Sequence, residues 1–416
     1  MFEVFLTEEQ KKLREEARDF VKSVPRQYLL DMDADKIRFP KELLQEMGRR
    51  RLLGLRCSPR YGGRGLKWVE ELLVLNEISK LGIVPACVAT VVSIVTEAVE
   101  AFGTEEQKQK YIVPTLRGEK YCAEALTEPS GGSDFFFSTT TRARKENGHY
   151  VLRGQKRFIV GGEGADYFLV FAITNPGAGK EAMSAFLVDR EMGVEVKHVY
   201  GLLGCRGGGV ARIAFRDVRV PEENLLGKEG EGGKIFYRIM VPERITSGIT
   251  GYAREMLMIA ARYAMRRKAF GVEIKNFEAV SFKIADSLMK LDAVDAFAYA
   301  VARTVDEGVG TPGYRRRLVS ELKKFSTQVQ WEVINDAMQI VGGLGYTNIF
   351  PIERAFREAR LPLIWTGTNE IQSLIIQHEF FKELREKEME GRDVERDVPH
   401  PEEVLKEEKV YEPEEP

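Results

Sequence analysis

Three glycine-rich stretches could bring backbone N–H groups close to a phosphate. Thr127-Glu128-Pro129-Ser130-Gly131-Gly132-Ser133-Asp134 adds two hydroxyls, Thr127 and Ser133, to an exposed turn. Gly204-Cys205-Arg206-Gly207-Gly208-Gly209 adds one fixed cation, and Gln339-Ile340-Val341-Gly342-Gly343-Leu344-Gly345 lies at the end of a helical segment. Taken singly, each reads first as a turn. Pro242-Glu243-Arg244 sets a carboxylate beside a cation where a helical segment opens, and locally that is ordinary helix-start chemistry. A literal G-x-G-x-x-G runs from Gly308 to Gly313, but it joins two helices and follows no strand, so it reads as an interhelical turn.

Composition narrows the field. The chain has 416 residues, 62 basic against 64 acidic, for a net charge of −2. That length fits two or three domains or one large multi-part enzyme. The balanced charge sets up no global field that would draw nucleic acid or an anionic membrane surface. Cys57, Cys87, Cys122 and Cys205 form no C-x-x-C pair, and His149, His198, His378 and His400 form no ligand cluster. Neither a disulfide framework nor a metal site is expected. The opening segment carries charge where a signal peptide has its apolar core, so a cytoplasmic location is expected. Residues 81–96 are nearly uncharged but shorter than the roughly 20 residues of a spanning helix, and read as a buried helix with no membrane contact.

The elements that must position these groups follow from periodicity. Residues 1–120 read as an N-terminal α-helical domain: Thr7 to Gln10 has capping-box spacing, and Leu13, Ala17 and Phe20 recur at helical intervals. Further helices are predicted at 40–47 and 69–81, on either side of a glycine-rich turn at 61–65. Across 121–233 the period becomes two and β-branched and aromatic residues dominate, which defines a central β domain. Within it Asn147-Gly148 is a hairpin signal, and a change of inward set after Phe215 predicts a bulge near Arg216. Residues 234–387 return to long helices, at 242–270, 277–307, 315–341 and 369–387. Ile284, Leu288, Leu291, Val294, Ala298 and Val301 are expected to face a helical bundle. A charged tail covers 388–416. The expected fold class is multi-domain α+β, and the order helical, β, helical argues against a nicotinamide Rossmann fold.

In this order and spacing, ALTEPSGGSD at 125–134, GQKRFIVGG at 154–162, FRDVRVPEENLLG at 215–227, RRKAFG at 266–271, and the run from Gln339 through IWTGTNEIQ at 364–372 resemble the acyl-CoA dehydrogenase family. The resemblance extends from Leu6 to about Lys387. It implies a β-barrel-like central domain and a C-terminal four-helix bundle. It also implies FAD, an acyl-CoA thioester substrate, a homotetramer, and electron transfer flavoprotein as electron acceptor. By the same resemblance, Thr127 and the backbone around Leu126 face the flavin ring. Ser133, in one turn with Gly132, reaches the flavin pyrophosphate and the CoA chain. Phe158 lies against the ring on the side away from substrate. Arg267, Phe270 and Gln339 to Gly343, including Gly342, contact the FAD of a partner subunit, and Thr368 and Glu370 hold the remaining phosphate and ribose groups.

Three positions depart from the family pattern. Val160 stands where Ser or Thr is usual, which leaves only its backbone N–H to donate to flavin N5. Glu278 stands where Gln is usual and puts an anion near a pyrophosphate, a repulsion that a cation such as Arg267 would offset. Thr366, directly before Gly367, stands where most members carry the catalytic Glu, and it cannot act as a base near neutral pH. Isovaleryl-CoA and long-chain members carry the base in an E-R dipeptide on the first helix of the bundle, and Glu243-Arg244 supplies that pattern. The resemblance then implies that Glu243 removes the α-proton while the β-hydrogen leaves as hydride to the flavin, forming a 2,3-enoyl-CoA. Arg244 sits beside the base or the CoA, and Thr366 and Gly367 bind the thioester. Burial between flavin and acyl chain is expected to raise the pKa of Glu243 toward the working pH. Two alternatives stay open: a flavin oxidase or monooxygenase on the same scaffold, and a non-catalytic flavoprotein subunit in which Glu243 only starts a helix.

Overall fold

The computed structural model describes residues 3–239, 242–386, 392 and 394–400. Most of the charged tail expected at 388–416 lies outside the described residues. The N-terminal region folds as helices α1 (Glu8–Ser23), α2 (Arg26–Asp33), α3 (Lys41–Arg49), α4 (Trp68–Ile78) and α5 (Ile83–Phe102), with shorter turns between them. Thr7 and Gln10 close the capping box at the start of α1, and Leu13, Ala17 and Phe20 are buried as their spacing predicts. By length and composition α5 could cross a membrane, yet most of it is buried inside the protein, where it runs through the main core.

The middle region is an eight-stranded sheet. Its strands are β1 (Cys122–Ala125), β2 (Arg142–Glu146), β3 (His149–Ile159), β4 (Tyr167–Ile173), β5 (Met183–Asp189), β6 (Glu195–Val199), β7 (Ala211–Pro221) and β8 (Leu225–Leu226). Their order is β6-β7-β3-β2-β4-β5-β8, with β1 added parallel to β4. Every residue of β4 and β5 is buried. One face of these strands lines the sheet's own core and the other packs on the helices. Asn147 and Gly148 have φ of 45° and 77°, the positive values that a two-residue hairpin requires. Pairing moves from Leu152–Val218 to Arg153–Arg216. Asp217 is left out of register at φ 55°, next to the expected bulge position.

The C-terminal region contains α6 (Gly232–Ile239), a 3₁₀ helix at Pro242–Gly248, and helices α7 (Gly251–Ala264), α8 (Glu278–Asp306), α9 (Pro312–Val341), α10 (Ile352–Ala359) and α11 (Asn369–Glu386). Helix α9 packs against α7, α8, α11 and the 3₁₀ helix. The Gly308 to Gly313 stretch is the turn that leads into α9, whose N-cap Thr311 accepts from the Tyr314 N–H.

Two expectations are corrected here. Residues 242–270 are not one helix: the 3₁₀ segment stops at Gly248 and α7 restarts at Gly251. The end of α4 is wedged into that break. Asn76 Oδ1 accepts from the Thr250 N–H at 2.7 Å and the Gly251 N–H at 2.9 Å, and a Cβ on Gly251 would lie 2.1 Å from the Asn76 carbonyl oxygen. A Cβ on Gly248 would stand 2.8 Å from that of Ala298, so the missing side chain lets the 3₁₀ helix lie close against α8. Leu288, expected in the bundle core, is exposed, as are Phe282 and Met289 on the same helix. The outward side of α8 is therefore apolar.

Asn76→Ala removes the acceptor shared by the two backbone donors at this break. It should lower stability by about 1–2 kcal/mol, read as a lower melting temperature.

Candidate active site

Buried polar atoms without a hydrogen-bond partner are rare in folded proteins. Here Glu124 Oε1, Glu243 Oε2, Arg244 Nη1, Arg316 Nε and Gln372 Oε1 are all of this kind. They belong to groups linked by hydrogen bonds or by electrostatic coupling. Arg244 Nε donates to the Thr366 carbonyl at 3.3 Å. Gln372 Nε2 donates to the carbonyls of Thr366 at 3.2 Å and Gly367 at 2.9 Å. Thr366 and Gly367 have φ of 58° and 76°. Two successive left-handed residues turn these carbonyls toward Arg244 and Gln372, and among the described residues the N–H groups of 366 and 367 meet no acceptor. The left-handed φ of Gly367 favours glycine, and a Cβ there would also displace Gln372 Nε2, which would stand 2.7 Å from it.

Glu243 occupies the second position of the seven-residue 3₁₀ helix, longer than such helices usually run. Thr246 Oγ1 donates to the Glu243 carbonyl at 2.7 Å, and Gln330 Nε2 donates to the Ser247 carbonyl at 3.0 Å, which ties the segment to α9. Burial, reinforced by the nearby charge of Glu124, raises Glu243 to about 8 against a weaker opposing pull from Arg244. Burial likewise raises Glu124 to about 7. The two carboxylates repel, so the charge of one resists ionisation of the other. Burial lowers Arg244 to about 10, and burial together with the charge of Arg244 lowers Lys323 to about 8. Lys323 is fully buried and donates to Asn369 Oδ1 at 2.8 Å at the head of α11. Cys87 on α5 also lies within reach of the Glu243 charge. The plain helix-start reading of Glu243 needs a solvated carboxylate, and here the Oε2 is buried and unpaired.

A second group of residues forms around the turn after β1. Lys156 on β3 is wholly buried and pairs with Glu128 at 2.8 Å. Its ammonium also donates to the Leu126 carbonyl at 2.9 Å. Glu128 further accepts from the backbone N–H groups of Thr140 and Thr141 and from the Thr140 hydroxyl. Although burial disfavours its charge, Lys156 and these donors lower Glu128 to about 2. The Arg157 N–H donates to the Thr127 carbonyl at 2.8 Å, which sets Phe158 beside this turn. Phe158 has φ 57°, leaves its ring 51 % exposed, and leans on Tyr200 with ring centroids 4.9 Å apart. Among the described residues no protein group engages the hydroxyls of Thr127 and Ser133. Ser133 and Gly132 are exposed, and Val160 packs against the main core.

The structure thus joins Glu243, Arg244, Thr366 and Gly367 in one place, and Leu126, Thr127 and Phe158 in another. It sets Arg267, Phe270, Glu278, Gln339, Gly342 and Gly343 on exposed surface. Phe270 is 97 % exposed at φ 51°. A Cβ on Gly342 or Gly343 would meet open space. Thr368 caps α11 by accepting from the Ile371 N–H at 3.3 Å, and Glu370 is exposed in the first turn. Sequence reasoning missed Glu124, Lys156, Glu128 and a ring cluster. In that cluster Phe135 and Phe136 pack on Phe236, and Phe136 stacks on Tyr237 at 5.6 Å. The available signal was a charged residue in a strand of alanines and a Phe run directly after the glycine-rich turn.

Comparison with known proteins gives three matches to family profiles along the chain. The acyl-CoA dehydrogenase N-terminal domain matches residues 7–119, the middle domain 123–218 and the C-terminal domain 230–381. An acyl-CoA dehydrogenase of Bacillus subtilis is 36% identical over 377 residues, covering 89% of this chain and 97% of that protein. The solved structure of butyryl-CoA dehydrogenase from Megasphaera elsdenii superposes with a TM-score of 0.85 at 31% identity, covering 90% of this chain and 99% of that one. The FAD complex of PigA superposes with a TM-score of 0.84 at 26% identity, covering 90% and 98%.

Lys156→Met leaves the Glu128 carboxylate buried without its cation and should cost about 3–5 kcal/mol, read by denaturant unfolding. Replacing both partners with apolar residues should recover much of that loss.

Proposed function

The chain belongs to the acyl-CoA dehydrogenase family and is an FAD-dependent oxidoreductase acting on CH–CH bonds of acyl-CoA thioesters, and from that premise we propose that Glu243 is the base that removes the α-proton. The observation that carries this reading is its buried, unpaired Oε2, next in the chain to Arg244, which holds the Thr366–Gly367 turn whose two N–H groups meet no acceptor among the described residues. Proton removal from the α-carbon builds negative charge on the thioester oxygen. The N–H groups of Thr366 and Gly367 are donors suited to that charge. Arg244, held by the Thr366 carbonyl, lowers the cost of ionising Glu243 without neutralising it. Thr366 brings no second base into the site.

The residues present fit FAD. The carbonyls of Leu126 and Thr127 are held from within by Lys156 and the Arg157 N–H, the hydroxyls of Thr127 and Ser133 meet no described protein group, and Phe158 offers a half-open aromatic face. Bound FAD supplies the hydride acceptor for the β-hydrogen. Exposure of Arg267, Phe270, Glu278, Gln339, Gly342 and Gly343 suits contact with the cofactor of a partner subunit, and Thr368 and Glu370 stand at the head of α11 for its polar groups. The CoA moiety is assigned to a cavity of about 340 Å³ lined by Tyr237, Thr311, Gly313, Arg316, Lys382 and the carboxylates of Glu379 and Glu383, the first of which pairs with Arg316. Arg316 acts electrostatically on Arg244, which ties that cavity to the base.

We further read the sheet as barrel-like, the C-terminal helices as a four-helix bundle, and the domains as 1–120, 121–233 and 234–387. The assembly is read as a homotetramer working in fatty acid metabolism in the cytoplasm, with electron transfer flavoprotein as acceptor. These readings rest on the family resemblance and on the apolar outward side of α8.

Anaerobic addition of an acyl-CoA panel should bleach the flavin. Glu243→Gln should slow bleaching about 10³-fold, whereas Thr366→Ala, which keeps the backbone N–H, should retain it. No bleaching with any thioester would sink the assignment, and rapid reoxidation in air would favour an oxidase. Because Glu243 must be ionised and its pKa lies at about 8, kcat/KM should rise with pH up to about 8 and fall roughly tenfold per unit below it.

A further inference from the structure

The mechanism uses Glu243 and leaves a second carboxylate with a buried, unpartnered oxygen unused. Glu124 is the third residue of β1. Its neighbours Ala123 and Ala125 point into the sheet's own core. Cys122, two residues back, and Leu169, its register partner on β4, belong to the core shared with the helices. Strand alternation therefore turns Glu124 toward that shared core. There β1 packs on α5, the helix whose Cys87 lies near Glu243. After burial, Glu124 is the strongest influence on the ionisation of Glu243. The Oε1 of Glu124 is buried and has no partner. Lys156 is close enough to act on it, but directs its ammonium to Glu128 and to the Leu126 carbonyl. An unpaired buried carboxylate is costly, and a wall built only to enclose an alkyl chain is better served by an apolar side chain.

We propose that Glu124 is a specificity-determining residue: its unpaired carboxylate accepts a hydrogen bond from a hydroxyl or ammonium group on the substrate's acyl chain. The proposal rests on the reading of Glu243 as base, because sharing a buried face with Glu243 is what puts Glu124 beside the acyl group. A donor on the chain satisfies the orphaned oxygen, and an ammonium also offsets the repulsion between the two carboxylates. An unsubstituted alkyl chain does neither and strips water from Glu124 without compensation.

The holoenzyme can be titrated with product-state thioesters, which bind without being oxidised, and binding read from perturbation of the flavin spectrum. The probes are hexenoyl-CoA and its ω-hydroxy, ω-amino, ω-methoxy and ω-carboxy counterparts. The hydroxy and amino forms should bind about tenfold more tightly than the parent, and the methoxy form, which cannot donate, should not. Glu124→Leu should bring these ratios to about one. Glu124→Gln keeps a carbonyl acceptor and should retain part of the hydroxyl preference while losing that for ammonium. Equal affinity for the hydroxy and methoxy forms overturns the proposal. Preference for the carboxy form also overturns it, since Glu124 would then be a protonated donor. Failure of the Glu243 reading is seen separately, as an absence of flavin bleaching by any saturated thioester, whichever way the binding ratios fall.

Discussion

Keeping an ionisable carboxylate out of water without neutralising it is the constraint around which the rest of this molecule is arranged. Glu243 has a guanidinium as its chain neighbour, and a close ion pair between them would hold it permanently ionised and weakly basic. Instead Arg244 is drawn to the Thr366 carbonyl, so its charge moderates the carboxylate from one side only. The fold holds this arrangement with ordinary means: a 3₁₀ segment, a glycine that admits Ala298, and an asparagine from α4 that blocks continuation into α7.

The turn that carries Thr127 and Ser133 meets the opposite demand. It must be open to a ligand on the outside and fixed from within. The buried Lys156–Glu128 pair and the donors from 140 and 141 do the fixing. Ionic groups are used differently in the two halves: matched where the backbone must be rigid, mismatched where proton affinity must be high.

Much of the fold was legible because apolar period follows secondary structure. The hairpin at Asn147-Gly148, the displaced residue beside Arg216 and the buried helix at 83–102 all come from local rules that the tertiary structure obeys. Local rules failed where a distant residue intervenes. Nothing within 242–270 announces that Asn76, far back in the chain, will cut the helix there. Leu288 fits the helical stripe, yet it lies at the edge of that stripe and faces outward. The position of Glu243 was legible only through resemblance to a family, since its own neighbours describe a common helix start. Glu124 was invisible for the same reason as Asn76: one acidic residue in a four-residue strand carries no periodic signal, and only the packing of β1 on α5 brings it near the base.

The surroundings of Glu243 come from every part of the chain: Cys87 from the first helical region, Glu124 from the sheet, and Arg244 with the 366–367 turn from the last. No region alone excludes water from that side chain. A nascent or locally opened chain therefore carries an ordinary surface acid at this position, and the capacity to deprotonate carbon arises only with completed assembly, as a safeguard inherent in the topology.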